Sequence, residues 1–272
     1  MYQNHWKLDA KPFQNGRDAR FYYPSVAHQG ALLKLRYVIE NHGTGALLTG
    51  GSGLGKSLLI SALFDLLPNS FAPLVHLVFP RLAPDEFLAY LADEISGRTS
   101  EQAVPANVSV RKIQQKLTQN SANGQHAVVA IDDAQMLRDT ETLDMLRLLM
   151  NFEAQGRPAM TLVLAGQGSI LPAVERVPSL DDRLGVKCVL RPFAADETAS
   201  YLLHRLAAAG GDRAIFADDA LDRVHELSAG VPRRINRLCE LALLMGYAED
   251  RHSITAQQIE EVSSELITIA PE

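Results

Sequence analysis

Cysteine is almost missing from this chain: Cys188 and Cys239 are the only two in 272 residues. That excludes a disulfide-stapled scaffold and fits a reducing compartment. With no His or second Cys at metal-ligand spacing, both read as plain thiols. No apolar run approaches the ~18 residues of a membrane span, and the opening MYQNHWKLDAKPF has no signal-peptide core, so the expected location is cytoplasmic. Net positive charge is lacking too. The balance of 26 Lys and Arg against 32 Asp and Glu gives −6, which excludes whole-molecule attraction to a phosphate backbone and leaves only a local basic patch. Apolar residues are not scarce: 47% hydrophobic and 21% charged exclude wholesale disorder.

What is present alternates. Buried-strand signatures GALLT, PLVHLVF, AVVAI, MTLVLAG and KCVLRPF are separated by amphipathic helical patterns, among them SVAHQGALLKLRYVIENHG, APDEFLAYLADEI, VSVRKIQQKLTQN and TETLDMLRLLMNFE. Near-continuous apolar strands between helices predict a parallel sheet covered on both faces. After RPF the texture changes to four helical segments with no strand between them. The expected organisation is an α/β part over residues 1–193 and a small all-helical part over residues 194–272. Neither a repeat nor a low-complexity tract interrupts it.

Between the first strand and the next helix stands GGSGLGKSL. Gly50, Gly55, Lys56 and Ser57 satisfy the G-x-x-x-x-G-K-[ST] phosphate-loop pattern. Glycines let successive backbone N–H groups turn inward around phosphate oxygens, and a helix N-terminus favours an anion. Gly50, Gly51, Ser52, Gly53, Leu54, Gly55, Lys56, Ser57 and Leu58 are therefore expected to hold a nucleoside triphosphate. Lys56 would reach the β and γ phosphates and Ser57 would ligate Mg²⁺. A glycine-rich turn with an exposed Lys is the bland alternative.

VVAIDDAQ puts Asp132 and Asp133 after another apolar strand, where a parallel sheet presents ligand-facing residues. Asp132 is the expected carboxylate on the Mg²⁺ side, and Asp133 would polarise the attacking water. Simple capping of the next helix is the competing account.

Phosphate loop and acidic site together resemble an AAA+ ATPase, and more narrowly the ExeA, or general secretion pathway protein A, type. The opening pattern of that family is matched by Pro12, Phe13, Phe21, Tyr22 and His28, and the resemblance runs through the helical tail. It implies a P-loop NTPase sheet sandwiched by helices, followed by a helical lid, with ATP and Mg²⁺ held between body and lid. The family usually has Asp-Glu-Ala-Gln where this chain has DDAQ, so Asp133 is one methylene short of the usual Glu and slow hydrolysis is an expectation. Further roles come from the resemblance alone. Gln167 would orient the lytic water, unless it only binds loop backbone. Arg183 would reach the nucleotide of a neighbouring subunit, unless it pairs locally with Asp181 or Asp182. Arg233, in GVPRRINRLCE, would contact the γ phosphate, with Arg234 and Arg237 facing solvent or a partner. Phe13, Tyr22 and Tyr23 would wall the adenine, with Ser25 to His28 beside them, ordinary packing being the alternative.

The resulting expectation is an ATP-hydrolysing, nucleotide-dependent homo-oligomer that drives or regulates assembly of a secretion or cell-envelope complex through a protein partner. Longer relatives carry a membrane segment, so recruitment to an inner membrane would come through another protein. Two rivals stand beside it: an ATP-controlled DNA-associated regulator of the transposition-helper type, and a slow or non-hydrolysing nucleotide switch.

Overall fold

The computed structural model describes residues 1–16, 19–100, 104–137 and 140–268. By contacts the chain divides into two compact units. One comprises Ala27–Ser52 and Lys56–Leu190, and the other comprises Met1–Val26, Gly53–Gly55 and the chain from Arg191 onward.

In the first unit, five strands form one sheet: β1 (Gly45–Gly50), β2 (Phe71–Leu77), β3 (His126–Ile131), β4 (Met160–Gly166) and β5 (Leu184–Leu190). Their spatial order is β2-β3-β4-β1-β5, and every pairing is parallel. All residues of β1, β3 and β4 are buried, which explains their unbroken apolar runs, whereas the edge strand β5 alternates. Leu47, Val129, Ile131, Leu162 and Leu164 form one continuous core with Phe87, Leu91, Ile113 and Leu146 from the covering helices. Each such side chain contributes on the order of 2 kcal/mol through removal from water. Helix Lys56–Leu66 packs on β1 and β4 and so carries Lys56 and Ser57 to the carboxyl end of the sheet. The sequence pattern places β2 and β5 two to three residues too late, because Phe71 and Leu184 already enter the sheet.

The second unit is helical, with helices Ala195–Ala208, Asp218–Ser228, Pro232–Ala248 and Ala256–Thr268 and a bridge between Phe216 and Ile254. Both cysteines are buried and free. The expected boundary assigned residues 1–193 to the α/β part, but contacts group Met1–Val26 with these helices. The reason is where its rings find apolar cover. Tyr2, Trp6, Phe13 and Phe21 share a core with Leu202, Leu206, Ile235 and Leu243. The Trp6 indole N–H donates to Leu243 O at 2.9 Å. Phe13, 1% exposed, meets Phe216 edge-on, so it packs in this core and does not wall a ligand. Tyr23 likewise packs on Phe193 and Tyr201. Arg205, itself buried, ties the segment down by donating to the carbonyls of Pro12, Gln14 and Phe21 while lying 4.6 Å over the Phe21 ring. Among the described residues no helix is long and apolar enough to cross a membrane.

Two consequences are measurable. Replacing Arg205 by Ala strips donors from buried carbonyls and should lower stability by about 3 kcal/mol, with Lys a poor substitute because it lacks the planar fork. Urea unfolding and early proteolysis of the N-terminal segment would record it. At the start of β3, His126 is buried, and its Nε2 lies 2.8 Å from Thr161 Oγ1. The Thr161 hydroxyl proton is committed to Gly43 O at 2.6 Å, so Thr161 accepts and Nε2 of His126 carries the hydrogen. Burial, with a lesser contribution from His42, pushes His126 down to about 4. The unfolded chain takes up this proton near pH 6.5 and the folded chain refuses it until about pH 4. Stability from this residue is therefore complete above pH 6.5 and falls by about 3 kcal/mol as pH drops to 4. Unfolding midpoints between pH 7 and 4.5 should show this slope, and His126→Gln should flatten it.

Candidate nucleotide-binding site

Each buried strand ends where the sheet can no longer satisfy its backbone, and the polar residues gather there. After β1 the chain leaves the sheet at Gly50, and Gly53 and Gly55 take φ of 80° and 87°, a left-handed region that side chains rarely adopt. Gly51 and Ser52 are exposed and Leu54 is buried. By their contacts Gly53–Gly55 belong to the helical unit. There the Arg233 N–H donates to Gly53 O at 3.3 Å, and a Cβ on Gly53 would stand 2.8 Å from Arg233 Cβ. Arg233 opens helix Pro232–Ala248, and its residue is exposed, as are Arg234 and Arg237.

Lys56 starts the following helix and is buried, with Nζ donating to Gly50 O and Gly51 O at 2.9 Å each. These two bonds fix the ammonium at the loop. Ser57 Oγ donates to Asp132 Oδ2. Leu58, in the same turn, is half-buried. Asp132 follows β3 directly, 5% exposed. Burial pushes its carboxyl up, but the nearby His76 ring and hydrogen bonds from the Ser57 hydroxyl and the Asp133 N–H together hold it below the usual carboxylate range. It is therefore ionised at neutral pH. His76, on β2, places Nε2 3.4 Å from Asp132 Oδ2.

Asp133 is exposed and left-handed at φ 48°, ψ 35°, leading into a short 3-10 turn at Ala134–Met136. Asp tolerates that conformation better than most residues. Its Oδ1 accepts from Gln135 Nε2 at 2.9 Å, and Gln135 Oε1 accepts from the Gln167 N–H at 2.9 Å. Gln167 caps the exit of β4 with its side chain exposed. Thus Lys56, Ser57, Asp132, Asp133 and Gln167 converge at one end of the α/β unit. Arg183 does not join them. Its carbonyl accepts from Thr44 Oγ1 at 2.7 Å, and Asp181 pairs with Lys187 instead of Arg183. Sequence reasoning missed two participants. His76 was visible as the polar residue inside PLVHLVF, and Gln135 as the last letter of DDAQ.

The pairing of one hydroxyl with one ionised carboxylate is a hard-oxygen donor set suited to Mg²⁺. Among the described residues no group of three His, Cys, Asp or Glu is placed to hold a metal ion. The residues present fit Mg²⁺ with a nucleoside triphosphate.

A family model described as an AAA domain matches residues 39–174, half of the sequence. The chain belongs to the AAA-domain family. It is 30% identical over 274 residues to General secretion pathway protein A of Aeromonas hydrophila, covering 100% of this chain and 50% of that protein. It thus spans about half the length of the curated relative it matches. Among solved structures, the Aeropyrum pernix ORC2 protein in its ADPNP-ADP complexes superposes with a TM-score of 0.73 at 17% identity, over 94% of this chain and 72% of that one. Cdc6p from Pyrobaculum aerophilum gives 0.73 at 16% identity, over 97% and 75%. These likenesses show the fold: the parallel P-loop NTPase sheet with a helical C-terminal portion.

Proposed function

We propose that this AAA-domain protein binds and hydrolyses ATP with Mg²⁺ and uses the cycle to drive or regulate assembly of a secretion or cell-envelope complex. The observation that carries the catalytic part is the Lys56 ammonium held at the glycine turn next to Ser57, whose hydroxyl bonds Asp132 at the end of β3, one strand removed from β1. Lys56 would leave its carbonyl partners for the β and γ phosphate oxygens and offset their charge. Ser57 and Asp132 would hold Mg²⁺, which when bound withdraws charge from the transferring phosphoryl group. Asp133 would orient the attacking water, and Gln167 would sense the γ phosphate from the end of β4. Arg233, bonded through its backbone to Gly53, is the lid residue proposed to read nucleotide state. Arg183, with no carboxylate partner among the described residues, would act on the nucleotide of a second copy.

The cellular task rests on the likeness to General secretion pathway protein A. Cells lacking this protein, or carrying Lys56→Ala, should fail to assemble an envelope or secretion complex. Normal assembly in both would remove that part of the reading.

A second reading, an ATP-controlled DNA-binding regulator, draws on exposed Arg233, Arg234 and Arg237 in the first two turns of one helix. Strongly salt-dependent, ATP-stimulated retention of duplex DNA on filters would favour it.

Calorimetric titration with MgATP should give saturable binding, weakened about 100-fold by Lys56→Ala through loss of about 3 kcal/mol of charge-assisted contact. Absence of heat from well-folded wild-type protein would overturn the nucleotide reading. In phosphate-release assays Asp133→Glu should raise kcat, since the longer carboxylate reaches the water without help. Light scattering should show self-association with an ATP analogue, and Arg183→Ala should lower turnover while leaving binding intact.

A further inference from the structure

The geometry points to Gln135 as a positioning residue that holds the short Asp133 carboxylate in working orientation and links it to the end of β4. This rests on the hydrolytic reading of Asp133 above.

An exposed Asp on a 3-10 turn has two free side-chain torsions and, without a tether, samples several rotamers. Gln135 supplies the tether, with Nε2 to Asp133 Oδ1 and the Gln167 N–H to its own Oε1, each at 2.9 Å. The direction of the amide is not free. A backbone N–H can only donate, so the atom facing Gln167 must be Oε1, and the atom left facing Asp133 must be the NH₂ group. One carboxylate oxygen is thereby engaged by a neutral donor, and Oδ2 remains to accept a proton from water.

The chain also makes room for this bridge. A Cβ on Gly166 would stand 2.8 Å from Gln135 Oε1 and 3.0 Å from the Gln135 backbone nitrogen. Backbone cannot yield as a flexible tip can, so only glycine at 166 leaves Gln135 where it is. Because Gln135 grips the main chain of Gln167, any shift at the end of β4 is carried to Asp133. The carboxylate that would orient water and the strand end that would sense the γ phosphate move as one piece. A misplacement of 1 Å at a reacting centre costs up to about 100-fold in rate, so a loose Asp133 has a measurable penalty.

The test uses the full chain. Gln135→Ala removes both bonds, whereas Gln135→Glu keeps the acceptor for Gln167 but presents an oxygen to Asp133 where a donor stood. Both should lower kcat about tenfold or more with KM for ATP and thermal midpoint close to wild type. Gly166→Ala should reproduce the loss. Hydrogen exchange in nucleotide-free protein should show the Gln167 amide deprotected by Gln135→Ala and still protected in Gln135→Glu. That separates loss of the Asp133 contact from loss of the strand contact. Independently of turnover, the Gln135 side-chain NH₂ resonances should move on Asp133→Ala.

Unmoved resonances, or a Gln135→Glu protein with wild-type or higher kcat, would overturn the positioning role. A higher kcat would mean that Gln135 restrains Asp133 from working. If Asp133→Asn leaves turnover unchanged, or wild-type protein has none, the hydrolytic reading of Asp133 itself falls. If Asp133→Asn abolishes turnover and the Gln135 variants do not lower it, only the inference about Gln135 falls.

Discussion

A parallel sheet buried on both faces can carry chemistry only at its ends. Every residue of β1, β3 and β4 is buried, so their side chains are committed to packing and their amides to the ladder. The first positions past these strands are Gly51, Asp132 and Gln167. Strand order then does the assembly. β1, β4 and β3 are neighbours, so three segments distant in sequence deliver a phosphate-loop lysine, an ionised carboxylate and an amide to one edge. No long loop has to reach across the molecule, and the geometry inherits the rigidity of the core.

The helical unit solves a different problem. A small bundle of four helices has limited apolar area of its own, and the N-terminal segment enlarges its core with Tyr2, Trp6, Phe13 and Phe21. Irregular chain carries carbonyls that no helix or sheet satisfies. Arg205 meets several of them at once with a single planar group, and its charge is further accommodated by the Phe21 and Tyr201 rings. A burial that would be costly for most cations becomes the fastening of the segment.

The apolar strands, the glycine loop and the DD pair were readable because each follows from local constraints: period, turn chemistry, and the exit of a buried strand. The ladder order and the extent of β2 and β5 were less so, since edge strands are short of apolar signal and their limits depend on partners. Phe13 and Tyr23 were ambiguous for a physical reason. Ring side chains pack a core or wall a ligand with the same atoms, and only the fold shows which surface they meet. His76 and Gln135 escaped notice because their roles are relational. Neither has a spacing rule, and each matters only through an acid brought close by strand pairing or by a 3-10 turn.

Charge balance ties these observations together. Asp132 stays ionised despite burial because the Ser57 hydroxyl and the Asp133 N–H donate to it with the His76 ring close by, and Asp133 stands next to it in sequence. A triphosphate brought to this edge adds several negative charges against two carboxylates, and Lys56 is a single cation. Like charges at a few ångströms cost more in a partly buried site than in water, so a second source of positive charge is required for the arrangement to be favourable. The Ser57 hydroxyl, which donates to Asp132, and the Asp132 carboxylate are the oxygens that would serve such a cation. Gln135 completes the same balance on the other side. It satisfies one oxygen of Asp133 with a neutral N–H, which orients the carboxylate without adding charge to the site.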